Sequence, residues 1–232
     1  MSIPRTLAAV ALSAAVANVF GCSGRPSGGG TAAGPAAGSS AVTPGTVTNP
    51  TDFALAPDDK ILAAKPFNQT ISSQSGTLFT QGAGTYAGHS VVAQSSGSLA
   101  DVKSWLAKLE QSPPAGYRYV ASAEHPSAVE AAGKFGVTYA VFRNGAKGAV
   151  IAVVDPRLAH EKLQIVLSAV DKYKMLPAEL RNSIDENVKA QLGVSVTEAL
   201  DPSAPVGMTV EALRTINGSD NPAIVEVDAT KQ

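Results

Sequence analysis

Cysteine is almost missing from this chain. Cys22 stands alone, which excludes an internal disulfide and any thiolate-held zinc or iron–sulfur cluster built within one chain. Aromatic residues make up only 5% of the sequence, and just one stretch, Tyr117-Arg118-Tyr119, interleaves them with a cation as a base-stacking platform would require. On a strand the two tyrosines would share one face and Arg118 the other, so core packing is the expected use. Neither sign of charge dominates: 18 Lys+Arg meet 19 Asp+Glu for a net of -1, so nucleic acid is not expected as a partner through bulk charge. No apolar run reaches the roughly 20 residues that a membrane-crossing helix needs.

What is present begins with an export-signal pattern. Arg5 is the only charge before Arg25, and Leu7–Phe20 is a 14-residue stretch of almost unbroken apolar character. A basic start, a short apolar core and small residues after it are the marks of a secretory signal, here residues 1–21. Val19-Phe20-Gly21-Cys22 resembles the lipobox of bacterial lipoproteins, in which an aliphatic and a small residue precede the cysteine that becomes the lipidated first residue. Val19, Gly21 and Cys22 match that pattern, and Phe20 is bulkier than the family's usual residue. The resemblance implies cleavage before Cys22 and lipidation of its sulfur. It also implies a chain held on a membrane of the cell envelope without spanning it, the outer membrane being favoured if the host is Gram-negative. Ala15-Val16-Ala17 supplies the alternative, an ordinary cleavage site that would release a soluble secreted or periplasmic protein beginning at Asn18. A lone free thiol in an oxidising envelope is open to oxidation and cross-linking, and lipidation removes that exposure.

Residues 22–50 form a tether. Gly, Ala, Pro, Ser and Thr account for 24 of its 29 residues, with Arg25 as the only charge. Such a composition cannot bury enough apolar surface to offset the entropy of ordering it.

Residues 51–232 read as a single α+β domain with a mostly antiparallel sheet. Gln69–Ser73, Gly76–Thr80 and Ser90–Gln94 are short strand-like runs between Gly/Ser turns. Ser98 and Asp101 sit at capping-box spacing before Leu99, Val102, Leu106 and Leu109, which predicts an amphipathic helix ending at Pro113-Pro114. Tyr117–Ala121 is a further strand. Ser127 and Glu130 form a second capping-box pattern opening a short helix that stops near Gly133 or Gly136. Val137–Arg143 and Ala149–Val154 flank Asn144-Gly145, a strong hairpin signal, and the second run lacks polar alternation, as a strand buried on both faces does. Asp155-Pro156 and Pro177 open two longer helices, the second stopped by Gly193. Thr209–Ile216 forms another helix, and Ala223–Val227 a closing strand.

Chemical motifs fail on spacing or context. Gly82-Ala-Gly84-Thr-Tyr-Ala87 fits a loose dinucleotide pattern but leads into a strand rather than a helix, so a glycine-rich turn is the reading. His160-Glu161 opens an H-E-x-x-H pattern, yet Gln164 occupies the second ligand position. His89 and His125 share no ligand spacing with it, so neither a metal nor an organic cofactor is assigned. Ser-x-x-Lys and Gly-x-Ser-x-Gly are both missing. Asp58-Asp59 and Asp185-Glu186 read as solvated acid pairs. Glu124-His125-Pro126, Ala131–Gly136 and Val141–Gly145 together resemble, over about 22 residues, the C-terminal half of thioredoxin-like domains. That resemblance implies a helix leading into a strand, while redox chemistry is excluded by the lack of Cys-x-x-Cys.

Two function classes follow, and no catalytic residue is assigned in either. One is a non-catalytic envelope lipoprotein whose tethered domain meets a protein, peptide or glycan partner. The other is an envelope hydrolase with a site assembled from scattered residues. An enzyme would bring two or more of His89, His125 and His160 together with an acid, whereas a binding module would show an exposed apolar patch or an unpaired sheet edge.

Overall fold

The computed structural model describes residues 48–56, 58–71, 82–121, 124 and 126–232. The signal segment, Cys22, nearly all of the tether, His125 and the predicted strand Gly76–Thr80 lie outside them. The described part is an α+β domain built on one sheet of six strands: β1 (Lys60–Ile71), β2 (Gly84–Gln94), β3 (Arg118–Val120), β4 (Val137–Asn144), β5 (Lys147–Val154) and β6 (Ala223–Lys231). Their spatial order is β1-β2-β6-β5-β4-β3, and every neighbouring pair is antiparallel. The helices are α1 (Leu99–Gln111), α2 (Pro126–Lys134), α3 (Pro156–Tyr173), α4 (Ala178–Leu192), α5 (Val196–Leu200) and α6 (Pro205–Ile216).

The sheet is covered unequally. Val92, Val150, Val154 and Val225 on one face pack under α2 to α6, which bury residues such as Leu163, Val166 and Met208 against them. On the opposite face Ile151, Val153 and Ile224 share a smaller cluster with Val102 and Leu106 of α1, Tyr117, and Phe53 of the segment preceding β1. Strand β5 therefore has core on both sides, which is why its sequence shows no polar alternation.

Local sequence explains the element ends. Ser98 and Asp101 close the expected capping box on α1, with each side chain bonded to the other residue's backbone N–H. Asp155 caps α3 by accepting from the amides of Arg157 and Leu158, with Pro156 in the first turn. Gly193 ends α4 in the left-handed conformation, φ 78°. Strand β4 turns into β5 through Gly145 and Ala146, because Asn144 already pairs with Lys147. The predicted hairpin is present, with glycine, φ 56°, as the first loop residue.

Several boundaries differ from expectation. Strand β1 starts at Lys60, not Gln69, because an edge strand with one open face tolerates Pro66 and a bulge at Leu62 without regular alternation. Helix α2 begins at Pro126, so Ser127 lies inside its first turn and is not its cap. Helix α6 opens at Pro205 rather than Thr209, and a further short helix, α5, with its own Ser195/Glu198 capping box, precedes it. Strand β6 continues past Val227 to Lys231.

A contact between α5 and α6 depends on one glycine. A Cβ on Gly207 would lie 1.8 Å from the carbonyl oxygen of Asp201, at the end of α5. Gly207→Ala is expected to lower stability by about 2 kcal/mol through overpacking, read as a lower thermal midpoint.

Candidate functional site

Strand β6 carries two carboxylates where its neighbours dictate apolar residues. Glu226 and Asp228 are two positions apart and so share the thinly covered face. Glu226 is 0% exposed and Asp228 1%. Register sets what lies beside each: Val91 of β2 and Ile151 of β5 pair with Glu226, while His89 and Ala149 pair with Asp228.

Partners come from β5 and from the segment before β1. Lys147 reaches Asp228 Oδ2 at 2.9 Å and Asp52 Oδ2 at 2.7 Å, bridging the sheet to that segment. The Tyr117 hydroxyl donates to Asp52 Oδ2 at 2.8 Å. The other oxygen of Asp228 accepts the His89 backbone N–H at 2.9 Å, with the imidazole Nδ1 3.5 Å from the same atom. Above Glu226 lie the Thr51 hydroxyl, against Oε1, and the Asn49 side-chain amide, 3.4 Å from Oε2. Phe53 anchors the segment between Tyr117 and Phe142, at ring separations of 4.8 and 5.0 Å.

The electrostatics follow from this wiring. Hydrogen bonds from Lys147 and Tyr117 hold Asp52 below the ordinary carboxylate range. Burial pulls Lys147 down, but its bonds to Asp52 and Asp228 outweigh that and leave it raised. Burial, helped by the bond to Asp52, pushes Tyr117 up to about 12. Burial between apolar strands raises Glu226 to about 7. The Lys147 amine is thus kept protonated and is neither base nor nucleophile near neutrality, and the Glu226 carboxyl is sealed from any substrate. This cluster ties residues 49–53 to the sheet.

The two described histidines, His89 and His160, do not converge. His89 faces the thin side through Asp228, while His160 is exposed on α3, on the other side of the sheet. His160 borders a cleft of about 240 Å³ lined by Pro156, Leu213 and Ile216, with the Arg157–Asp220 ion pair (3.2 Å) beside it. Among the described residues, no three His, Cys, Asp or Glu side chains converge to hold a metal ion.

The acid pairs correct one expectation. Asp185 is not a solvated acid: it accepts from the backbone amides of Val196 (2.9 Å) and Thr197 (3.2 Å), capping α5 from α4. It also accepts from the hydroxyls of Thr197 and Tyr173. Burial opposes its charge, but these bonds prevail and hold it below the ordinary range. Its folded-state value is depressed, so its contribution is present above the unfolded value near 3.8 and is lost as pH falls through the folded one. Asp185→Ala is expected to cost about 1–2 kcal/mol by urea denaturation at neutral pH. Asp59 is likewise partly buried: burial raises it, and neither of its carboxylate oxygens has a hydrogen-bond partner among the described residues. Tyr117 and Tyr119 do face the core together, with Arg118 exposed on the other side.

Glu226, Asp228, Lys147 and Asp52 escaped the sequence motifs because they belong to none. Their trace was the break in an otherwise apolar run, Ala223–Ala229, at two positions of the same parity. No family model, curated protein or solved structure matches this chain.

Proposed function

We propose that the chain is a bacterial envelope lipoprotein, lipidated at Cys22, whose domain binds a protein, peptide or glycan partner and performs no catalysis. The observation that carries the non-catalytic part is the mutual engagement of the ionisable groups: Lys147, Asp52, Asp228 and Asp185 are committed to holding backbone and one another. A strand edge supports the binding part. Strand β1 is 12 residues long and, among the described residues, pairs only with β2 at its end of the sheet order. An extended peptide could add there, with Lys60, Lys65 and Pro66 guarding against indiscriminate pairing.

The anchoring part rests on the lipobox-like Val19–Cys22 and the tether composition. Two or more acyl chains on one cysteine give stable attachment, at about 0.8 kcal/mol per buried methylene. A tether of this length holds the domain on the order of 30 Å from its anchor, which raises the effective concentration of neighbouring partners. Fractionation of cells carrying the natural chain or Cys22→Ala tests the anchor. The natural protein should stay with membranes through a high-salt wash and leave in detergent, while the variant should be soluble. Equal recovery of both in the soluble fraction would reject it.

A further inference from the structure

We infer that Glu226 carries a proton in the native fold and that this proton latches residues 49–53, the end of the tether and its continuation, onto the sheet. Counting hydrogens leads there. The Asn49 side chain is fixed by two backbone groups: its Nδ2 donates to the Phe53 carbonyl at 2.8 Å, and its Oδ1 accepts the Thr51 N–H at 3.0 Å. Oδ1 therefore faces the Thr51 hydroxyl, 2.8 Å away, as an acceptor. The same hydroxyl also touches Glu226 Oε1. A hydroxyl has one proton, so it cannot serve both oxygens. With Glu226 ionised, one of the two contacts sets unshared electron pairs against each other beside a carboxyl that is 0% exposed. With Glu226 protonated, its O–H donates to Thr51 Oγ1, Thr51 donates to Asn49 Oδ1, and every contact has its hydrogen.

The surroundings agree. Val91 and Ile151 flank the carboxyl and offer it no polar partner. The ionisable groups that face it are Asp52 from the segment and Asp228 from its own strand, both of which disfavour a further negative charge. Lys147 of β5 is occupied by those two, and His89 of β2 faces Asp228. From α1 the face receives Val102 and Leu106. Releasing the segment would expose Glu226 to water and return it toward 4.5, so folded and released states differ in proton uptake between about 4.5 and about 7. The folded value is the raised one. The latch is therefore fully closed below 4.5 and weakens as pH climbs to about 7, with no further loss above that.

The full chain, labelled for NMR, provides the test. The Glu226 side-chain carbon should titrate near neutrality. Protection of the Thr51 amide, corrected for intrinsic exchange, should fall on the order of a hundredfold between pH 4.5 and 7.5. In Glu226→Gln, whose amide can donate to Thr51 and accept from Asn49, that protection should be flat with pH. A Glu226 carboxyl already ionised at pH 5 would overturn the inference even if the variant failed to fold. So would Thr51 protection in the natural chain that ignores pH.

Discussion

Replacing Lys147 with methionine should destabilise the domain by about 3–5 kcal/mol, the cost of leaving a buried charge without its partner. The stranded group is Asp228, 1% exposed in the middle of the sheet, which would keep only His89, through its backbone amide and an imidazole nitrogen 3.5 Å away. Asp52 would lose its ion pair in the same step. Water can reach Lys147 but not Asp228, so the penalty falls on the carboxylate. A second change identifies the cause: Lys147→Met with Asp228→Leu removes both charges and should recover most of the loss, because a well-packed apolar pair can replace a buried ion pair. Urea midpoints of the two single variants and the double give the coupling. A Lys147→Met loss under about 1 kcal/mol would mean that Asp228 has other means of support and that the cluster does not hold this face together.

Removing Phe53 should cost a similar amount. Its ring is 2% exposed and wedged against Tyr117 and Phe142, and truncating a buried phenylalanine to alanine costs about 3–5 kcal/mol. Phe53 precedes the first strand, three residues past the expected end of the tether, in a stretch to which the sequence assigns no element. A chain starting at residue 48 should therefore match the full chain in thermal midpoint, while one starting at residue 57 should melt far lower. Equal stability of the two truncations would show that the segment merely rests on the sheet.

Legibility followed locality. The Ser98/Asp101 capping box, the Asn144-Gly145 hairpin, the proline-led α3 and the Gly193 stop depend on neighbours within a few residues, and all can be read directly from the sequence. The doubly buried β5 was also readable, since burial on both faces leaves its own compositional trace. The part of strand β1 before Gln69 was not, because its pairing with β2 and its edge position make up for weak alternation. The carboxylates of β6 were hidden for a related reason. What makes Glu226 and Asp228 tolerable inside the sheet lies up to 177 residues away, at Asn49, Thr51 and Lys147, where short polar or basic residues look like ordinary linker and turn. Asp185 is hidden in the same way: its partners lie on the helices before and after it, at Tyr173, Val196 and Thr197, and appear only once α3, α4 and α5 are packed.

The anchor is the premise on which the cellular reading turns, and the intact mass of the mature protein, purified from its natural host, tests it directly. The account predicts a chain beginning at Cys22 and heavier than its polypeptide by a diacylglycerol and any amide-linked acyl group. A chain beginning at Asn18 with an unmodified thiol would contradict it, leaving a freely diffusing protein.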